Sequence, residues 1–427
     1  MRSASGYRRR HQKTKLYMRK SIFTFIMWCI GIYACAQNFN AHFCDSTLRL
    51  NYIFAGDADS YSIFVDGLDL EPRWHGRRKH LNELPLKGNG QITVTDYVTN
   101  EIIYRHSFST LFQEWIATAE AKQVRKSFEN VFLVPFPKNK IKVKVELYDY
   151  HNRIVAQTVH TADPQDILIR RIGFNRVTPY TTIHPAADTT NCINIAYVAE
   201  GYTNEQMDDY INDARIATDA LFSHEPFKTM KDRFNIVAVK SASEDSGTSE
   251  PANSIWRKTA LGSHFDTFYS DRYLTTLHLK RLHDLLAGIP YEHIIILVNT
   301  NKYGGGGIYN SYNLSYTKGK YFRPVVVHEF GHSFGGLGDE YDYGNDDPMY
   351  FSDTEPWEPN LTTKHDFKDK WENLIKEGKA GFVEGGGYQS KGVFRGVENC
   401  RMKTNDTPEF CVVCRQALTK LIKFYTE

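Results

Sequence analysis

The feature that most restricts the fold is a change of hydrophobic pattern near Pro164. Before it, segments such as Leu48 to Phe54 and Ile141 to Leu147 alternate apolar and polar residues with a period of two, which is typical of strands with one buried face. After it, apolar strands alternate with segments of helical pattern. The chain has 427 residues, more than one typical domain requires. We therefore predict two folded domains of different class.

Residues 37–165 are predicted to form the first of these, a small antiparallel β-sandwich domain. Turn residues at Lys87 to Gly90 are typical of connections between hairpin strands. This part of the sequence carries no catalytic motif, so a role in packing or docking is expected. Tyr61 and Trp74 are candidates for exposed aromatic contacts with a substrate.

Residues 166–427 are predicted to form a second domain of mixed α/β, or α+β, class. The apolar strands predicted in it are Ile193 to Val198, Asn235 to Val239 and His293 to Val298. One helix is predicted from a cap signature at Thr203 through about Phe222, and another from Arg272 to Ala287. Four glycines, Gly304 to Gly307, follow the third strand and permit close backbone approach. The strand and glycine segment from Ile294 to Ile308 is a candidate edge for pairing with an extended peptide.

The first 36 residues are predicted to be a signal peptide. Basic residues precede the apolar run Ile22 to Ala34, which is short for a membrane span and ends in Ala34-Cys35-Ala36. We expect cleavage after Ala36, with Met18 as a second candidate start, and a lipid anchor on Cys35 is the alternative. The protein is therefore expected to be secreted, periplasmic or attached to the cell surface, without a membrane span.

The charge of the chain is nearly balanced. It has 52 Lys and Arg residues against 50 Asp and Glu residues. No basic excess points to nucleic acid or to an anionic membrane, so these partners are not expected.

The motif His328-Glu329-x-x-His332 carries the candidate chemistry. On a helix, positions i and i+4 share a face, which brings both imidazoles within reach of one ion at the roughly 2 Å zinc–nitrogen distance. Glu329 lies about 100° round the helix, where it can accept a proton from a metal-activated water. By composition alone the motif occurs in roughly a few per cent of such chains. The three valines before His328 are typical of a helix that enters a core, and they favour the metal interpretation.

A catalytic zinc site of this kind requires a third protein ligand and one open position. We expect Asp339 to be the ligand, because a short loop after the helix can return it to the ion, whereas Glu340 is expected to point elsewhere. Glu355 and Glu358 are the alternatives, although both look like loop residues. A further option is that Asp339 only holds an imidazole N–H without contacting the metal.

Three cysteines lie close together near the C-terminus: Cys400, Cys411 and Cys414. The spacing of the last two is compatible with a metal knuckle, a redox pair or a disulfide. A zinc site would need four ligands, and only Cys400 is an obvious third. Since an exported chain meets oxidants, we favour a disulfide that involves Cys400.

The stretch from His328 to Tyr341, followed by Cys400-Arg401-Met402 and by Phe410 to Arg415, resembles the IgA-peptidase family of secreted bacterial metallopeptidases. The resemblance covers nearly the whole chain after the signal peptide, because the order of β domain and catalytic domain also matches. It implies a metzincin-like zinc peptidase domain, a zinc ligand at Asp339, and Met402 in a tight turn beneath the metal. The sequence departs from the usual metzincin pattern in one place. Gly338 occupies the position of the third ligand, and Asp339 follows one residue later.

These observations predict a zinc-dependent endopeptidase that hydrolyses polypeptide through a metal-activated water. In this reading His328, His332 and Asp339 hold Zn²⁺ and Glu329 is the general base. The alternative is a non-catalytic surface module that binds glycan or host protein and keeps a structural metal. Hydrolysis of a non-peptide amide is a third option.

Overall fold

The computed structural model describes residues 38–344 and 349–427. The predicted signal peptide, including Cys35 and Ala36, lies outside these residues. Residues 39–427 form one compact unit. Across the described ranges, no helix combines the length and the hydropathy that a membrane span requires.

The first half of the described chain contains two four-stranded sheets and two short helices. Its elements are α1 (Phe39–His42), β1 (Phe43–Gly56), β2 (Tyr61–Glu71), β3 (Gly90–Asp96), β4 (Ile102–Phe108), α2 (Leu111–Trp115), β5 (Lys126–Pro137), β6 (Ile141–Tyr148), β7 (Ile154–Ala162) and β8 (Arg170–Arg171). One sheet has the order β5-β1-β2-β8 and the other β4-β3-β6-β7. All neighbouring strands are antiparallel except β2 and β8.

The second half is built on a six-stranded mixed sheet. Its strands are β9 (Tyr180–His184), β10 (Ile193–Glu200), β11 (Phe234–Val239), β12 (His293–Val298), β13 (Gly305–Ile308) and β14 (Tyr312–Tyr316). Their order is β13-β14-β12-β10-β11-β9. The inner pairs are parallel, whereas the edge strands β13 and β9 pair antiparallel with their neighbours. Every residue of β10 and β12 is buried, as their continuous apolar pattern predicts.

Five further helices and a three-stranded sheet complete the fold. The helices are α3 (Met207–Leu221), α4 (Leu279–Leu286), α5 (Phe322–Ser333), α6 (Glu372–Lys376) and α7 (Val412–Thr426), and the strands, in the order β15-β17-β16, are β15 (Leu361–Thr362), β16 (Val383–Gly386) and β17 (Gln389–Arg395). Short 3-10 helices lie at Glu120–Lys122, Asn204–Gln206, Lys231–Arg233, Pro251–Asn253 and Thr267–Tyr269. The predicted mixed α+β class is confirmed.

Strand β1 explains why the two halves pack together. One of its faces buries Tyr52 and Phe54, and the Phe54 ring lies 6.3 Å from the ring of Phe108 in the opposite sheet. On its other face, the buried Arg49 donates from Nη1 to Asp284 Oδ1 of α4 at 2.7 Å. Both faces of β1 are therefore covered, one by its own sandwich and one by the second half of the chain.

Two predictions about local structure are wrong. The segment Lys87 to Gly90 does not close a hairpin, because the loop 72–89 crosses from β2 in one sheet to β3 in the other. Trp74 is buried rather than exposed, and its Nε1 donates to Arg77 O at 3.0 Å. Of the two aromatic residues that were predicted to be exposed, Tyr61 is partly exposed.

The helix predicted from Arg272 to Ala287 is also shorter than expected, because α4 begins only at Leu279. The residues before it are extended, and the Leu274 N–H donates to Gly305 O of β13 at 3.3 Å. Leu274 is fully buried in this extended segment. Pairing with an edge strand thus replaces the first turns of the predicted helix.

Candidate metal centre

Helix α5 positions the central motif. Its residues Val325, Val327 and Phe330 are buried, so the helix is anchored on β13 and β14 and against α3. It ends at Ser333, and Gly336, at φ +58°, donates its N–H to His332 O at 2.9 Å. A glycine in this left-handed conformation is a common helix stop, and it turns the chain back towards the helix.

The structure brings His328, His332 and Asp339 together. The two Nε2 atoms are 3.0 Å apart. Asp339 Oδ1 lies 3.1 Å from Nε2 of His328 and 3.2 Å from Nε2 of His332. The Nδ1 atoms face backbone carbonyls, Arg401 O at 3.0 Å and Leu337 O at 2.6 Å respectively. Because a carbonyl only accepts, each Nδ1 donates its proton there, and each Nε2 is directed to the point that Asp339 Oδ1 also faces.

This triangle fits a metal ion. Tetrahedral zinc with ligands at about 2.0–2.1 Å places ligand atoms about 3.3 Å apart, close to all three observed edges. Asp339 Oδ1 is buried and has no hydrogen-bond partner within the described chain. Such an atom costs about 1–3 kcal/mol unless a partner satisfies it, and a cation would do so. The side chains of His328 and His332 remain 14% and 17% exposed, so one side of the triangle is open to solvent.

The electrostatics of the triangle favour a cation. Burial lowers the pKa of His332, but the carboxylates of Asp339 and Glu329 and the Leu337 carbonyl together outweigh this effect and raise that pKa to about 9. The neighbouring carboxylates thus favour positive charge at this position, and a metal ion would compete with a proton for it.

Glu329 lies beside the triangle without being part of it. It is partly buried, and burial raises the pKa of its carboxyl group above the usual range. The side chain rests against β13 so closely that a Cβ at Gly305 would lie 2.5 Å from Glu329 Oε1. The glycines that follow β12 in sequence therefore make room for this carboxylate.

Two residues near the site were missed by sequence reasoning. Tyr388 donates its hydroxyl to Asp339 Oδ2, and Asn360 holds the returning loop by bonding Gly338 N at 2.8 Å and Gly338 O at 2.9 Å. Tyr388 is 49 positions from Asp339, and no local pattern signals a contact over that distance.

Met402, which the resemblance placed in a tight turn beneath the metal, packs against α5. It is fully buried, and its Sδ is so close to Gly331 of α5 that a Cβ there would meet it at 2.7 Å. Its carbonyl accepts the Glu340 N–H at 2.9 Å. The turn at Met402 thus contacts both the helix and the returning loop.

The alternative third ligands lie elsewhere. Glu355 forms an ion pair with Lys370 at 2.9 Å, and Glu358 accepts a hydrogen bond from the Tyr350 hydroxyl at 3.1 Å. Neither belongs to the group around His328 and His332 in the part of the chain that the structure describes.

The predicted disulfide is not formed. Cys400 and Cys414 approach to 3.7 Å between their Sγ atoms, and all five cysteines of the described residues are free thiols. Glu340 faces this cysteine group rather than the triangle, and its Oε1 lies 3.1 Å from Cys414 Sγ. A second cluster of metal-binding groups therefore lies behind the first.

A paired-histidine and carboxylate centre beside a glutamate, carried on an α+β fold, is typical of a metal-dependent hydrolase. Comparison with known families gives the particular one. Residues 181–380 and 376–422 match the family described as IgA Peptidase M64, and residues 38–158 match the Peptidase M64 N-terminus. The chain therefore belongs to the IgA peptidase M64 family, a family of metallopeptidases, and the resemblance seen in the sequence is confirmed. The comparison with curated proteins gives no match.

Proposed function

We propose that the protein is a secreted zinc-dependent endopeptidase with a metzincin-like catalytic domain. The observation that carries this proposal is the triangle of His328 Nε2, His332 Nε2 and Asp339 Oδ1, with edges of 3.0 to 3.2 Å and one side open to solvent. Two nitrogens and one carboxylate oxygen are ligands that suit zinc, and an open fourth position suits catalysis. Family membership supports a peptidase with polypeptide substrates, and the buried Met402 under α5 supports the metzincin-like form.

In this proposal His328, His332 and Asp339 would hold the ion, and Glu329 would accept and then donate the proton. The ion, when bound, would supply a water of pKa near ~7 and polarisation of the scissile carbonyl. Glu329 accepts the proton of the attacking water and passes it to the leaving amine. Because burial raises the pKa of Glu329, its carboxylate holds the proton more readily than an exposed glutamate would. The carbonyls of Arg401 and Leu337 keep both imidazole rings oriented.

The edge strand β13 is the proposed docking site for an extended peptide. Its first residue, Gly305, is already paired with Leu274, so substrate pairing would fall further along the strand, at Gly307. Exposed aromatic surface lies near the triangle, since Tyr343 is 64% exposed and its ring stacks on Tyr388 with centroids 6.0 Å apart. A backbone edge and an aromatic rim together suit a polypeptide substrate.

Removal and return of the metal tests the proposed chemistry. A mixed peptide library is incubated with the purified protein before chelation, after chelation, and after zinc is added back. We expect cleavage to fall by at least about 100-fold without metal and to return with zinc, because the ion supplies several kcal/mol of transition-state stabilisation.

A His328→Ala/His332→Ala variant is the control for this experiment, and it should stay inactive when zinc is added. Undiminished cleavage by the metal-free protein would refute the zinc mechanism. If zinc-loaded wild type cuts neither peptides nor folded proteins, the non-catalytic surface module becomes the better description.

Export is the second part of the proposal, and it rests on the sequence of the first 36 residues. Expression in a bacterial host should yield an exported protein that begins at Gln37, because cleavage is expected after Ala36. N-terminal sequencing and intact mass of the exported fraction measure this. A lipid-modified N-terminus at Cys35 would support the anchored form instead, and full-length protein retained in the cytoplasm would contradict export.

A further inference from the structure

A second group of metal-binding side chains lies beneath the candidate metal centre. It consists of Glu340, Cys400, Cys411 and Cys414, and one ligand atom of each lies within 4.8 Å of all the others. All four residues are buried, Cys411 at 8% exposure and the other three at 0%. We propose that this group is a structural zinc site with three thiolate ligands and Glu340 as the fourth.

The distances between the ligand atoms of this group are close to those of a tetrahedral zinc site. Zinc–sulfur bonds of about 2.3 Å place two thiolates about 3.8 Å apart, and Cys400 Sγ lies 3.7 Å from Cys414 Sγ. A carboxylate oxygen at about 2.0 Å from zinc would lie about 3.5 Å from each sulfur. Glu340 Oε1 is 3.1 Å from Cys414 Sγ and 4.0 Å from Cys411 Sγ, which brackets that value.

One oxygen of the Glu340 carboxylate lacks a hydrogen-bond partner within the described residues. This oxygen, Oε2, is buried, while Oε1 accepts from Asn360 Nδ2 at 3.0 Å. Burial of a carboxylate without full compensation is costly, and a divalent cation bound by Oε1, the oxygen that faces the sulfurs, would neutralise its charge. The Asn360 contact is the type of outer hydrogen bond that orients a carboxylate ligand.

The start of α7 directs backbone N–H groups at two of the sulfurs. Cys411 caps the helix and accepts the Cys414 N–H at 3.5 Å, and the Cys411 N–H is directed to Cys400 Sγ at 3.2 Å. Backbone N–H groups at this helix N-terminus thus donate to two of the sulfurs, the arrangement in which a metal-bound thiolate is hydrogen-bonded.

A disulfide would leave more of these four side chains without a partner than a metal ion would. A bond of about 2.0 Å between two of the sulfurs would leave the third cysteine unpaired and Glu340 Oε2 still without a hydrogen-bond partner in the described residues. A zinc ion accepts all four groups at once. With four protein ligands it has no open position, which is the arrangement of structural rather than catalytic zinc.

The proposed ion would join the segments that form the floor of the triangle. Glu340 follows Asp339 directly, and Cys400 precedes Arg401, whose carbonyl accepts from His328 Nδ1. The third segment is α7, which carries Cys411 and Cys414. The inference is independent of the proposed function, because this second site exists whether or not the triangle supports peptide cleavage.

Zinc content of variants tests the inference. We expect about two zinc ions per chain in the wild type and about one in Cys411→Ser. Cys44→Ser is the matched control, since Cys44 is an exposed thiol in β1, and it should retain two. Zinc is measured by elemental analysis after dialysis against metal-free buffer.

A second measurement leaves the cluster intact, so that it does not depend on the folding of a cysteine variant. The His328→Ala/His332→Ala variant should keep about one zinc, and its X-ray absorption should show three sulfurs at about 2.3 Å. Absence of zinc from this variant, or a Cys400–Cys414 disulfide in the mass of the non-reduced wild type, would overturn the inference.

Discussion

Replacement of Glu329 by glutamine is expected to lower kcat/KM for peptide hydrolysis by about 10²–10⁴-fold while zinc content stays that of the wild type. Positioned general bases contribute rate factors of about this size. Glutamine keeps the shape of the side chain against Gly305 but cannot accept the proton of the attacking water. Metal is retained because Glu329 does not belong to the triangle formed by His328, His332 and Asp339. Initial rates on one cleaved peptide, with zinc analysis of the same samples, measure both quantities.

Glu329→Asp is the matched control for this prediction. It keeps a carboxylate but withdraws it by one methylene from the position beside β13, so an intermediate rate is expected. A wild-type rate in the glutamine variant would remove Glu329 from the chemistry. Loss of zinc from that variant would mean instead that Glu329 supports the metal.

The strands and the central helix could be predicted because their signals are local. Period-two alternation located β1 and β6, continuous apolar runs located β10 and β12, and spacing of four on α5 put both histidines on one face. Each of these patterns lies within a single helix or strand, and burial of its apolar residues stabilises that element. The prediction from Arg272 to Ala287 failed where a neighbour intervened, since pairing of Leu274 with Gly305 outweighed helical propensity.

Contacts between distant segments could not be predicted in the same way. Tyr388 reaches Asp339 across 49 positions, and Glu340 meets Cys414 across 74. The prediction of a disulfide at Cys400 was wrong for this reason. The sequence near the cysteines contains no obvious fourth metal ligand. Glu340 reaches the cysteines only because the loop after α5 folds back. This loop directs two neighbouring carboxylates to opposite sides, Asp339 to the histidines and Glu340 to the cysteines.

Replacement of Asp339 by alanine is expected to weaken zinc binding at the triangle by more than about 100-fold and to abolish hydrolysis. Outer hydrogen-bond partners of metal ligands are worth about 10–100-fold in affinity, so loss of a direct ligand should cost more. The variant should contain one zinc fewer per chain than the wild type. Competition with a chromophoric chelator gives the affinity, and peptide cleavage is assayed alongside.

Two further variants decide what Asp339 does. Tyr388→Phe removes only the hydroxyl that donates to Asp339 Oδ2, so its zinc affinity should fall by no more than about 10–100-fold. Glu358→Gln alters the alternative third ligand and should retain wild-type affinity. If Asp339→Ala binds zinc as well as Tyr388→Phe does, Asp339 orients an imidazole without contacting the metal; if Glu358→Gln loses zinc, the third ligand is Glu358. Only a graded loss, largest for Asp339, fits a site in which the carboxylate closes the triangle around the ion.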